Sequence, residues 1–136
     1  FAYGTLAGGF LSEKYLGKEY DRPETRSQVK YMQIIEDSLG WDGLQKLLPL
    51  LKEIAATHQV SIANVVTQYI LNQPGVGAVM IGTRSSRHVA DNLRTLEFEL
   101  SADEMQAIRE FIAQYPTQLV SAMNLNGPRH VTKELF

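Results

Sequence analysis

Cysteine is missing from the chain altogether, which excludes a disulfide scaffold, a thiolate zinc site and a cysteine nucleophile. The absence fits a reducing compartment. Histidine is scarce as well: His58, His88 and His130 are scattered, and none is paired with a second ligand at helical spacing, so no metal site is expected. Neither sign of charge dominates, with 13 Lys and Arg against 15 Asp and Glu for a net charge of -2. A general nucleic-acid binder, with its strongly basic face, is therefore not expected. No apolar run is long enough to cross a membrane, and the opening Phe1-Ala2-Tyr3-Gly4 lacks the basic-then-apolar build of a secretory signal. Those two absences lead to an expectation of a cytoplasmic protein with no membrane partner. The phosphate-binding patterns G-x-x-x-x-G-K and G-x-G-x-x-G are also absent.

What is present is a chain of 136 residues, 44% of them hydrophobic, a balance that suits one compact soluble domain. Its first residues, an aromatic, apolar run leading straight to a glycine, read as the end of a strand, and the chain is expected to be cut from something longer. Gly4, Gly8 and Gly9 then supply a loop with backbone freedom. Asp21 to Lys30, polar and broken by Pro23, reads as a surface loop, and Tyr31 to Leu39 as a short helix ended by Gly40. From Trp41 to His58, Leu44, Leu47, Leu48, Leu51, Ile54 and Ala55 recur at helical spacing, with Pro49 predicting a kink or a restart. Ser61 offers a cap for a helix over 62–72 that stops before Pro74-Gly75. Val76 to Ile81 reads as a buried strand, Gly82 to Ser86 as a turn and Arg87 to Leu96 as a helix. Ser101 and Glu104 form a capping box for a last helix ending near Gln114. The order is an α/β alternation, the pattern of a parallel sheet, and it divides the chain into a domain over 1–114 and an aperiodic tail over 115–136. Two strands leave sheet edges bare, so the chain needs either further strands or self-association through those edges.

One turn carries chemistry. A loop that leaves a parallel strand and enters a helix collects free N–H groups and the positive end of the helix dipole. Here that position holds Gly82, Thr83, Arg84, Ser85, Ser86 and Arg87, and arginine forks with serine hydroxyls suit a phosphate. His88, Asp91 and Asn92 follow on the helix, within reach of an amide or a ribose. The same residues also suit a plain helix cap by Ser85 or Ser86 with solvated arginines. Spacing leaves both readings open.

The run G-V-G-A-V-M-I-G-T-R-S-S-R-H-V-A-D-N-L-R-T-L-E-F-E-L-S-A-D-E-M resembles the last strand and helix of the aldo-keto reductases. The opening Y-G-T-L-A-G-G-F-L-S-E-K-Y resembles that family's seventh strand and loop, and S-I-A-N-V-V-T-Q-Y-I-L-N-Q-P-G-V the helix before the eighth strand. The resemblance implies the C-terminal part of a (β/α)8 TIM barrel, incomplete on its own, from an oxidoreductase that passes a hydride from NADP(H) to an aldehyde or ketone. By position it assigns Arg84 to the adenosine 2'-phosphate with Gly82, Thr83 and Ser85 beside it, and His88, Asp91 and Asn92 to the adenine side. Gly4, Thr5, Leu6 and Gly9 would lie along the pyrophosphate, and Lys14 matches a lysine common in that loop. Gly4-Thr5 departs from the usual Ser-Pro, and His88 from a position that often holds Gln or Arg. The family's catalytic Asp, Tyr, Lys and His belong to early strands, so no catalytic residue is expected here and a carbonyl substrate is expected only with an N-terminal part. Tyr3, Tyr15 and Tyr20 read as packing under the loop, Trp41 as a helix-start anchor near the family's substrate pocket, and His58 as a helix-end partner. A non-enzymatic NADPH-binding or regulatory module and a self-associating structural fragment stand as the other functional readings.

Overall fold

The computed structural model describes residues 1–83 and 85–115. Arg84, His130 and all of the expected tail except Tyr115 lie outside the described residues.

Helix α1 spans Arg26–Ser38. Thr25, in extended backbone, accepts the Gln28 N–H on Oγ1 at 3.1 Å, while Gln28 Oε1 accepts the Glu24 N–H at 2.9 Å. The Thr25 cap starts the helix five residues before the expected Tyr31, inside the segment read as a surface loop; a threonine cap backed by Gln28 outweighs the segment's polar composition. Gly40, at φ +70, ends α1 as expected and at once opens α2, Gly40–His58. Pro49 causes no restart: α2 continues through it. The proline sits on the solvent side, while Leu48 and Leu51 are fully buried, so packing of the apolar stripe outweighs the lost backbone bond.

Helix α3, Ile62–Leu71, is capped by Ser61 and lies in the middle of the core, with Ile62, Val65, Val66 and Tyr69 excluded from solvent. Helix α4, Ser86–Leu93, buries none of its residues and passes into a 3-10 turn, Arg94–Leu96, where one continuous helix was expected. Helix α5, Ala102–Ala113, starts at the expected capping box of Ser101 and Glu104 and packs Ile108 and Ile112 against α2. Fully burying a leucine or isoleucine contributes about 1.5–3 kcal/mol, so this layer of α1, α2, α3 and α5 holds the fold together. Among the described residues no helix is long and apolar enough to cross a membrane.

The strands are where expectation and structure differ most. Val76 to Ile81 was expected as a buried strand, yet none of these residues is buried and Met80 is 62% exposed. Among the described residues, pairing is limited to an isolated parallel bridge between Ala2 and Val79. A parallel strand becomes a buried ribbon only with partners on both edges and layers on both faces, and here one residue meets one residue. The described residues are thus mostly helical, and the expected α/β alternation is reduced to helices, 3-10 turns and that one bridge.

Candidate functional site

The Ala2 N–H donates to the Ala78 carbonyl at 2.9 Å and the Met80 N–H donates to the Ala2 carbonyl at 2.7 Å. Because the bridge is parallel, the chain leaves Ala2 and Val79 at the same end. One exit becomes the loop containing Gly4, Thr5, Leu6 and Gly9, the other the turn of Gly82, Thr83 and Ser85 before α4. Two motifs some eighty residues apart are brought side by side by that single contact.

The glycine loop turns tightly, with Gly4, Gly8 and Gly9 all at positive φ and Ala7 at φ +48. Its own bonds use the N–H groups of Ala7, Gly9, Phe10 and Leu11. Tyr31 of α1 lies across it: a Cβ on Gly4 would strike the Tyr31 hydroxyl, and one on Gly8 would stand 2.9 Å from the ring. Both glycines are therefore required twice, for the backbone angle and for the ring. Burial raises the Tyr31 phenol above its ordinary pKa, and the Tyr3 and Tyr20 phenols are also raised. A phenol so shifted is a poor proton donor near neutral pH. Phe10, Tyr15, Tyr20 and Trp41 instead pack ring against ring, Phe10 and Tyr15 with centroids 4.8 Å apart, and Trp41 Nε1–H donates to the Lys18 carbonyl at 3.0 Å. Lys14 rests its ammonium 5.3 Å from the centre of the Tyr15 ring.

At the second exit Ser85 is the helix cap, its Oγ accepting the Arg87 N–H at 3.3 Å. Thr83 Oγ1 donates to the Ser85 carbonyl at 2.8 Å, closing the turn ahead of the helix. Gly82, Thr83, Arg87 and His88 are exposed, and Arg84 is not among the described residues. Among the described residues, nothing lies within contact distance of a Cβ built on Gly82.

Asp91 and Asn92 are half-buried, and Asp91 is engaged with α3. Its Oδ2 accepts from Ser61 Oγ at 3.1 Å and its carbonyl accepts from Asn64 Nδ2 at 2.8 Å. The cap of α3 also receives the first loop, since Glu13 Oε1 accepts the Ile62 N–H at 2.7 Å. Reading the sequence missed Glu13, Ser61 and Asn64 in this role. No local spacing connects residue 13 with 62, or 61 with 91. Nor did it foresee that His58 Nε2 pairs with Glu104 at 2.8 Å across the ends of α2 and α5. A groove of ≈ 500 Å³ opens beyond the loop, lined among others by Phe10, Lys14, Tyr20 and Arg22. None of the described candidate cofactor residues lines it.

The parallel bridge thus sends the glycine turn and the start of α4 out at one end. The profile of the Aldo/keto reductase family matches residues 1–113. The chain belongs to that family, whose domain is that of an oxidoreductase. A comparison with curated proteins finds no match.

Proposed function

We propose that the chain is the C-terminal, cofactor-binding portion of an NADP(H)-dependent aldo-keto reductase, an incomplete (β/α)8 barrel that is inactive without the strands carrying the catalytic residues. The observation that supports this reading is the Ala2 to Val79 bridge, which brings the glycine loop and the arginine-serine turn out at one end. The residues fit the group. At Gly82 no described residue stands where a Cβ would be, which lets backbone approach a phosphate, and exposed Thr83 with half-buried Ser85 flank Arg84 in the sequence. In this reading Arg84 holds the 2'-phosphate, Gly4, Thr5, Leu6 and Gly9 line the pyrophosphate, and His88 and Asn92 face the adenine. Asp91 contributes by bracing α4 through Ser61, since its carboxylate is already engaged. NADPH, when bound, supplies a hydride to an aldehyde or ketone.

The test is a titration of the chain with NADPH and NADH, repeated with Arg84→Ala. Arginine-phosphate bonds contribute on the order of 1.5–3 kcal/mol, so Arg84→Ala should cost NADPH about tenfold or more in affinity and NADH little. An equal loss for both refutes the 2'-phosphate assignment. A second reading, self-association through bare sheet edges, is favoured by the exposure of Phe1 at 90% and Met80 at 62% on the residues flanking the bridge. Light scattering on the same samples separates it: a monomer at all concentrations excludes it.

A further inference from the structure

We infer that Glu13, Ser61 and Asn64 form a brace that fixes the spacing between the two cofactor loops, an inference that rests on the reading of the site given above. The two loops are tied to neighbouring residues at the start of α3. From one side, Ser12 Oγ donates to the Gly9 carbonyl at 2.7 Å, and the next residue, Glu13, accepts the Ile62 N–H at 2.7 Å. From the other side, Ser61 Oγ donates to Asp91 Oδ2 at 3.1 Å, and Asn64 Nδ2 reaches the Asp91 carbonyl at 2.8 Å and Thr95 Oγ1 at 3.0 Å. A continuous hydrogen-bonded path thus runs from the glycine turn through α3 to α4, five residues after its first. α3 is a rigid anchor for both, because its residues from Ile62 onward are nearly all excluded from solvent.

A dinucleotide touches both loops at once, its pyrophosphate at one and its 2'-phosphate at the other. Simultaneous contact gains affinity only where the two subsites are already held at the right separation; otherwise the ordering cost is taken from the binding energy. A ligand that reaches only the arginine-serine turn is indifferent to that separation. The brace therefore acts on two-ended ligands and not on one-ended ones, and its members are positioning residues that touch no cofactor atom.

The experiment compares NADPH with adenosine 2'-monophosphate, which has no 5'-phosphate, by calorimetric titration of the 136-residue chain and its variants. Glu13→Ala should weaken NADPH about tenfold and change the monophosphate less than about twofold. Glu13→Gln keeps an oxygen that can accept the Ile62 N–H and should restore NADPH affinity. Ser61→Gly breaks the Asp91 bond from the other side while keeping an acceptable helix cap, and should reproduce the selective loss even where Glu13→Ala fails to fold. Equal losses for both ligands, or no loss for either, overturn the brace while leaving the site assignment standing. Absence of NADPH binding by the unaltered chain overturns the site assignment, and the brace with it.

Discussion

Asn64→Ala tests whether the start of α3 is a structural hub. Asn64 is 1% exposed and uses its whole amide: Oδ1 accepts from the Ser61 N–H at 3.0 Å, while Nδ2 donates to the Asp91 carbonyl and Thr95 Oγ1. Truncation removes the reciprocal half of the capping box, for which about 1 kcal/mol is usual. It also strands Thr95, which is 3% exposed, at about 1–3 kcal/mol for an unsatisfied buried polar group. The half-buried Asp91 carbonyl can turn to water and adds less. The expected loss is about 2–4 kcal/mol, a large share of the 5–15 kcal/mol by which domains are ordinarily stable. Urea unfolding followed by far-UV circular dichroism should show the midpoint fall with an unchanged slope. Asn72→Ala, at an exposed helix end, should stay within about 0.5 kcal/mol of the parent. A loss below about 1 kcal/mol for Asn64→Ala would refute the reasoning, because it would mean that water replaces every one of these bonds.

The His58 and Glu104 pair predicts a pH dependence. Burial works against the Glu104 charge, but hydrogen bonds from His58 and Ser101 and the attraction of His58 together carry its pKa below the ordinary 4.5. A carboxylate lowered in the folded state contributes its stability in full above the unfolded value and loses it as pH falls through the folded value. His58→Ala should therefore lower stability near neutral pH by about 1 kcal/mol and flatten its decline between about pH 5 and 3; urea midpoints across that range read both, and an unaltered slope would sink the pairing. Gly4→Ala should cost about 2–4 kcal/mol in thermal unfolding, part from φ +67 and part from the Tyr31 hydroxyl. Adding Tyr31→Phe should return part of that loss, and no recovery in the double variant would show that backbone strain alone is responsible.

What the sequence made legible was local. Ser61, Ser101 with Glu104, and the leucine stripe of α2 each announce themselves within four residues, and each is found where its pattern placed it. Their chemistry is short-range, a side chain satisfying a backbone donor one turn away or an apolar face repeating every turn. Thr25 and Gln28 carried an equally local signal that the surrounding charges concealed. The strand over 76–81 was illegible for the opposite reason: its apolar character records an affinity for neighbours, and burial depends on whether those neighbours are there. The brace was invisible because Glu13, Ser61 and Asp91 come together only after α3 is packed between them.

Of the two readings of the arginine-serine turn, the cap is found at Ser85, and it limits what kind of phosphate site the turn can be. Ser85 satisfies the Arg87 N–H with its side chain, and its carbonyl takes the His88 N–H at 3.0 Å as well as the Thr83 hydroxyl. Two of the four backbone donors that a free helix start would offer an anion, those of Arg87 and His88, are therefore used within the turn. The helix dipole remains, worth about 0.3–1 kcal/mol at an exposed end, which is too little to discriminate a 2'-phosphate from a hydroxyl. Recognition must then come from side-chain charge, and Arg84 and Arg87 are the two guanidinium groups the turn provides. Arg87 heads the first turn of α4 and is exposed, so its contribution is screened by water and salt. In the proposed reading, which gives the 2'-phosphate to Arg84, the preference for NADPH over NADH should rest on that residue's charge and should shrink with ionic strength. A preference that survives both Arg84→Ala and high salt would place the discrimination on the backbone after all.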